Sequence, residues 1–176
     1  MPFNKARGSK LAELKFPGFE PRVRSLTEKL LDVRLLTEAL PKIAATVTIQ
    51  PCFACLPMDL DRWKDNVDGL KMLVQPELRD RPDTQFDVGQ TDLHGAPMIY
   101  TYQAAQLIGQ DENKNSVAAW TDAYALYYND GVTQIRVVAE YKDDPMTSKE
   151  AMLQAAPRDS LEKVAKAFVD AYTHAW

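Results

Sequence analysis

The hydrophobic and polar positions of this chain change period along its length. Residues 98–141 read as long runs rich in apolar, aromatic and β-branched side chains, and in the last of them, 132–141, apolar and polar positions alternate with the period of a half-buried strand. Three long strands are predicted there: Met98–Ile108, Val117–Tyr128 and Val132–Tyr141. Polar turns separate them, one at 113–115 and one at Asn129-Asp130-Gly131, where glycine takes a positive φ at little steric cost. In the third strand Ile135, Val137, Ala139 and Tyr141 share one face, while Gln134, Arg136 and Glu140 share the other. That alternation describes an antiparallel sheet with one buried face. After residue 160 the period lengthens. Leu161, Val164, Ala165, Phe168, Val169 and Tyr172 form a helical stripe, so an amphipathic helix is predicted over Leu161–Trp176, with Asp159 and Glu162 as its capping pair.

The first half is less regular. Ser25 and Glu28 have the spacing of a capping box, and Leu26, Leu30, Val33, Leu36 and Leu40 follow at helical intervals, so a helix ending at Pro41 is predicted. Residues 43–50 are rich in β-branched side chains and predict a strand. Asp59 is a candidate N-cap for a helix over about 60–74, with Leu60, Trp63, Val67, Leu70 and Val74 on one face. Residues 76–97 read as a long connection with a short strand near 85–88. Residues 1–20 are polar and broken by Pro17 and Gly18, which predicts a mobile arm. The expected organisation is therefore an arm over 1–20 and a single α+β domain over 21–176, an antiparallel sheet with helices packed against it.

Composition adds constraints. The chain has 176 residues, 45% hydrophobic and 26% charged, with a net charge of −4, ordinary values for a globular domain. The acidic balance and the scattered basic residues argue against nucleic acid, which needs a basic face. No apolar stretch approaches the roughly 20 residues of a bilayer-spanning helix. The N-terminus lacks the apolar core of a secretory signal, so the expected location is the cytoplasm, or the envelope if a leader has been removed.

The reactive candidates are few. Cys52-Phe53-Ala54-Cys55 follows a predicted strand and precedes a predicted helix, where a helix dipole would lower a thiol pKa. Pro97 precedes a strand, as the proline of thioredoxin-like proteins does. Against redox chemistry, Pro51 stands where such proteins carry Trp, and the long meander does not suit their fold. The leading expectation is a structural use of the two thiols, with a thiol–disulfide redox site as the alternative. A zinc site needs four ligands; His94 and His174 are the only histidines and lie far apart in sequence, so no metal or cofactor is expected. No nucleophile elbow, zincin or phosphate-loop motif occurs, and the chain is expected not to be an enzyme.

The aromatic set Tyr100, Tyr102, Trp120, Tyr124 and Tyr128 admits two readings. Tyr100 and Tyr102 share a face of one strand, and Trp120, Tyr124 and Tyr128 share a face of the next, with Tyr127 opposite. These side chains are either core and cross-strand pairs or the binding residues of an aromatic groove for a peptide or a small apolar ligand, and the expected partner is a protein or peptide.

The order of elements resembles the PsbP-like fold class, which includes photosystem extrinsic proteins, Mog-type Ran-binding factors and bacterial DcrB-like and LpqN-like proteins. The resemblance is carried by Ala45–Pro51, the helix beginning at Asp59, Leu93-His94-Gly95-Ala96-Pro97 leading into a strand, the meander of 98–141, and Ala156-Pro157-Arg158-Asp159 opening the last helix. It implies an α/β/α sandwich. It also implies a non-catalytic protein-binding, adaptor or chaperone-like role of bacterial type, with no active-site residues to carry over.

Overall fold

The computed structural model describes residues 20–26, 31–36, 39–51, 83–93, 95–110, 113–129, 133–143 and 146–174. Among these residues seven strands form one antiparallel sheet: β1 (Glu20–Leu26), β2 (Leu31–Leu36), β3 (Ile43–Pro51), β4 (Gln85–Leu93), β5 (Ala96–Gln110), β6 (Ser116–Asn129) and β7 (Thr133–Tyr141). Their order across the sheet is β1-β2-β3-β7-β6-β5-β4. Two helices follow, α1 (Lys149–Ala155) and α2 (Arg158–His174). They form a bent helical layer across β6 and β7. The architecture is α+β.

The alternation read in the last strand of the meander is realised residue by residue. In β7 the positions of Ile135, Val137, Ala139 and Tyr141 are buried, and those between them are half-buried or exposed. Val137 stands opposite Val47 on one side and Leu126 on the other. These four residues join Ile43, Ala45, Val47, Ile49, Met98 and Tyr124 in one core, closed from above by Met152, Leu161, Val164, Ala165, Phe168 and Val169. The helical stripe seen in the sequence is the face that covers the sheet.

Three expectations are corrected. The helix predicted from Ser25 to Leu40 is instead the hairpin β1–β2. Leu31, Val33 and Leu35 stand opposite Ile49, Val47 and Ala45. The apolar residues of this segment satisfy a period of two as well as one of 3.6, and pairing with β3 selects the former. Ser25, read as a cap, lies in β1 opposite Asp32, next to an irregularity in the register. Second, α2 begins at Arg158 rather than Leu161. The Pro157 carbonyl accepts from the N–H groups of Ser160 and Leu161, at 2.8 and 3.1 Å. Asp159 therefore sits inside the first turn, where its charge favours the helix dipole, instead of capping it. Third, the short strand near 85–88 extends to Leu93 and turns tightly into β5 through Gly95 at φ +80°. Pro97 is consequently inside β5, opposite Asp92.

Helix α1 had no counterpart in the sequence reading. Its signal was Ser148, whose hydroxyl accepts from the Ala151 N–H at 3.3 Å as an N-cap does. The arm expected over 1–20 lies outside the described residues apart from Glu20, the first residue of β1. The helix over 60–74, the Cys52–Cys55 pair, His94, and Asp130 and Gly131 of the predicted turn also lie outside them.

Candidate functional site

Two features stand out from the core: a polar aromatic cluster where α2 meets β4, and a ribbon at the far end of β5 and β6.

The cluster is built by strand register. Tyr100 stands opposite Gly89, and Tyr102 opposite Asp87, so all four positions share the helix-covered face. The Tyr100 ring lies directly across Gly89. A Cβ at residue 89 would fall 2.6 Å from the Tyr100 hydroxyl and 2.7 Å from its ring, so only glycine admits this placement. Held there, Tyr100 stacks on Tyr124 with centroids 5.5 Å apart and planes inclined by 10°. Its hydroxyl donates to Asp87 Oδ2 at 3.0 Å. The start of α2 brings Arg158 to the same oxygen at 2.6 Å. The guanidinium also lies over Tyr102 at 4.9 Å and Tyr100 at 5.5 Å.

The ionisation states follow from this arrangement. Partial burial would raise Asp87. The hydrogen bonds from Arg158 and Tyr100 and the charge of Arg158 outweigh it and hold the carboxyl below its ordinary value. Tyr100 is raised by burial and by the neighbouring Asp87 carboxylate. Tyr102 is pushed up to about 12 by burial and by the charge of Asp122. These phenols stay protonated at neutral pH. The ion pair itself is partly exposed, with side chains 39% and 43% accessible, so water screens it and its contribution to stability is small. Beside it lies an open cleft of about 660 Å³, lined by Thr84, Gln85, Phe86, Asp87, Tyr102, Leu153 and Arg158.

Asp122 is different. It sits on the covered face of β6 between Trp120 and Tyr124, only 1% exposed. Neither carboxylate oxygen has a hydrogen-bond partner among the described residues. Burial pushes its pKa up to about 7, against some relief from the nearby Tyr141 backbone. A buried carboxyl this weakly supported by donors is costly when charged.

The aromatic set proposed as a binding face is divided by the structure. Tyr102, Trp120 and Tyr124 are buried beneath the helices, and Tyr100 and Tyr128 are partly buried against the same core. The face they share is covered, so as a group they do not line an open groove. Tyr127 lies on the opposite face, as its position predicted. It packs with Phe86 against Val88 and Ile99, and Arg136 lies 5.8 Å above its ring. Lys149 caps the outer edge of the core, 5.2 Å above Trp120, and donates to the Asp83 carbonyl at 2.7 Å. The sequence reading missed Asp87 and Arg158, whose pairing depends on a contact between β4 and α2 that no local pattern reveals.

The ribbon is the second feature. Strand β5 has 15 residues and β6 has 14, longer than their neighbours. Strand β4 stops pairing with β5 at Ala104, and β7 stops pairing with β6 at Ala123. Past those points, among the described residues, the two strands pair with each other, and Trp120 makes a bridge to Met146. On this projecting ribbon Leu107 is 44% exposed and Ile108 68% exposed, the large apolar side chains that the described surface leaves open. Adjacent residues of a strand face opposite ways, so the ribbon is apolar on both sides.

Among the described residues no group of His, Cys, Asp or Glu could hold a metal ion, and no helix is long and apolar enough to cross a membrane. Compared with known proteins, the chain matches no protein-family model and no curated protein.

Proposed function

We propose that this chain is a non-catalytic protein-binding module, of adaptor or chaperone-like type, built on a PsbP-like α+β scaffold. The observation that carries this reading is the projecting ribbon with Leu107 and Ile108 exposed on opposite faces. Exposed apolar side chains on a projecting element lose free energy to water that a partner surface recovers. An isolated two-stranded ribbon is also marginal in water, so the length of β5 and β6 beyond their neighbours is better accounted for by contact with another protein than by the needs of the fold. The polar cluster supports the same reading from the other side. Asp87, Tyr100 and Arg158 satisfy one another and fix α2 to β4, a structural use of the groups in the cleft.

The test is site-specific photocrosslinking in cells of the source organism. A photoreactive residue at Leu107 is expected to give a discrete protein adduct, and one at Gln134, on the opposite side of β7 from the core, is expected to give none. The reading fails if residue 107 gives no adduct, or if the adduct at 107 persists unchanged when Ile108 is replaced by Asp.

A further inference from the structure

Asp122 is a carboxyl placed where a charge is hard to keep. It is 1% exposed on the helix-covered face of β6. What relief it has comes from the backbone N–H groups of Tyr141 and of its own residue, too poorly aligned to count as hydrogen bonds. Alternate residues of a strand share a face, so Asp122 lies midway between Trp120 and Tyr124. Trp120 is met by the chain entering α1: its N–H donates to the Met146 carbonyl at 2.7 Å, and Lys149 lies over its ring. Tyr124 is met by α2, where Glu162 lies against its hydroxyl. Asp122 is therefore under the junction of the two helices, at Ala156 and Pro157.

The two helices are held unequally. α2 has 17 residues, buries Leu161, Val164, Ala165, Phe168 and Val169, and is tied to β4 by Arg158 on Asp87. α1 has seven residues, of which only Met152 is buried, and it ends at Ala156 in a non-helical conformation, φ −135° and ψ 72°. A helix this short does not persist without packing, and local opening of a fold starts at such elements. The charged groups nearby have partners of their own. Among the described residues β5 presents Tyr102 and β7 presents Tyr141, both phenols. From α2 come Arg158, on Asp87, and Glu162, paired with Lys166. From α1 come Glu150, which is exposed, and Lys149, which donates to the Asp83 carbonyl at 2.7 Å. Cover therefore favours the neutral carboxyl of Asp122, and ionisation favours access of water to it.

We propose that Asp122 and α1 form a proton-controlled latch: the neutral carboxyl holds α1 down on β6, and its ionisation releases α1 about the Ala156–Pro157 junction while α2 stays docked. Release uncovers Trp120 and admits water to the carboxylate. The direction follows from linkage. The closed form holds its proton up to about pH 7, and the open form, with the carboxyl in water, loses it near the ordinary value. The latch is firmest in acid, loosens as the pH rises towards 7, and is level above that, where the carboxylate is charged in both forms. The device is independent of what the ribbon binds.

The test is amide hydrogen exchange in the full chain, corrected for the intrinsic rate at each pH. The Met152 and Ala156 amides, which donate to the Ser148 and Met152 carbonyls, report α1. The Val137 amide, in a strand paired on both sides, reports the sheet. The α1 amides are expected to be less protected than Val137 throughout. They should lose protection about tenfold or more from pH 5 to pH 7 and change by no more than about threefold from pH 7 to pH 8. Urea below the unfolding transition is expected to leave their exchange unaltered, because the opening exposes little surface. Asp122→Asn is expected to make their protection independent of pH. If that variant does not fold, the carboxyl carbon resonance of Asp122 in the wild type decides, with a titration expected near pH 7, in step with the loosening of α1. The proposal is overturned if α1 protection does not change with pH, or if its loss survives Asp122→Asn. It is also overturned if the α1 amides track Val137 in both pH and urea, because the opening is then global, or if the carboxyl titrates near the ordinary 3.8.

Discussion

Strands β5 and β6 run through two environments, and the contrast between them carries the functional argument. In their inner halves Met98, Tyr102, Tyr124 and Leu126 are buried under α2, with β4 and β7 on either side. In their outer halves the same two strands continue their pairing from Leu107–Ala119 to Gln110–Ser116, but Leu107 and Ile108 are open to solvent. Both halves are rich in apolar residues and both are antiparallel. What separates them, among the described residues, is the reach of their neighbours: β4 and β7 flank the inner halves and stop before the outer ones, and on the face of Ile108 the helical layer covers the inner half. Strand pairing alone does not stabilise a ribbon; cover does. The inner half obtains cover from its own chain; in the proposed function the outer half obtains it from a partner.

The comparison predicts a gradient of mutational effects. The largest lies in the covered half. Val137 is fully buried between Val47 and Leu126. Val137→Asp is expected to destabilise the fold by roughly 3 kcal/mol or more, because a charge is buried without a partner. Urea denaturation checks this, and an unchanged midpoint would remove the inner half from the core.

Asp122 gives the pH dependence. Its folded pKa of about 7 lies above the ordinary 3.8. Folding therefore takes up a proton between those values. The contribution of Asp122 to stability is most favourable below about pH 4, declines as the pH rises towards 7, and is flat above. The slope in that window is at most about 1.4 kcal/mol per pH unit. Asp122→Asn is expected to lose this dependence, so the stability difference from wild type should shift in the variant's favour from pH 4 to pH 7 and then level off. Parallel stability curves would show that the carboxyl is not buried as described.

Gly89→Val comes next. A side chain there meets the Tyr100 ring within van der Waals distance, and the ring must leave its stack on Tyr124. The expected cost is about 1–3 kcal/mol, with loss of the Tyr100–Asp87 contact visible in the side-chain resonances. The smallest effect is expected at the thiols. Replacing both Cys52 and Cys55 by Ser is expected to leave partner affinity within about threefold, less than ~1 kcal/mol. A bridge between residues so close in sequence would restrain little of the unfolded chain. Loss of function in that variant would favour the redox alternative instead.

The fold was legible in the sequence where burial is one-sided and local. The meander, β3 and the stripe of α2 announce themselves because one face of each is apolar over many residues. The hairpin β1–β2 was read as a helix because leucine and valine between 26 and 36 satisfy both periods, and only the pairing of Val33 with Val47 decides. The candidate sites were harder. Asp87 and Arg158 are separated by 71 positions, and nothing near either one signals the other. The aromatic residues were visible, but whether an aromatic strand face is covered or open depends on where α1 and α2 settle. Leu107 and Ile108 looked like any strand residues, because their exposure follows from β4 and β7 stopping short of them.

In the proposed function the outer ribbon is spare to the fold and necessary for association. The most direct measurement is a double variant, Leu107→Asp with Ile108→Asp, assayed for stability and for association with the protein trapped at residue 107. The expected result is a change in unfolding free energy within about 0.5 kcal/mol for each exposed site, together with loss of association. A variant that unfolds several kcal/mol more easily, or one that keeps its partner, would contradict the division of β5 and β6 into a covered half and a binding half.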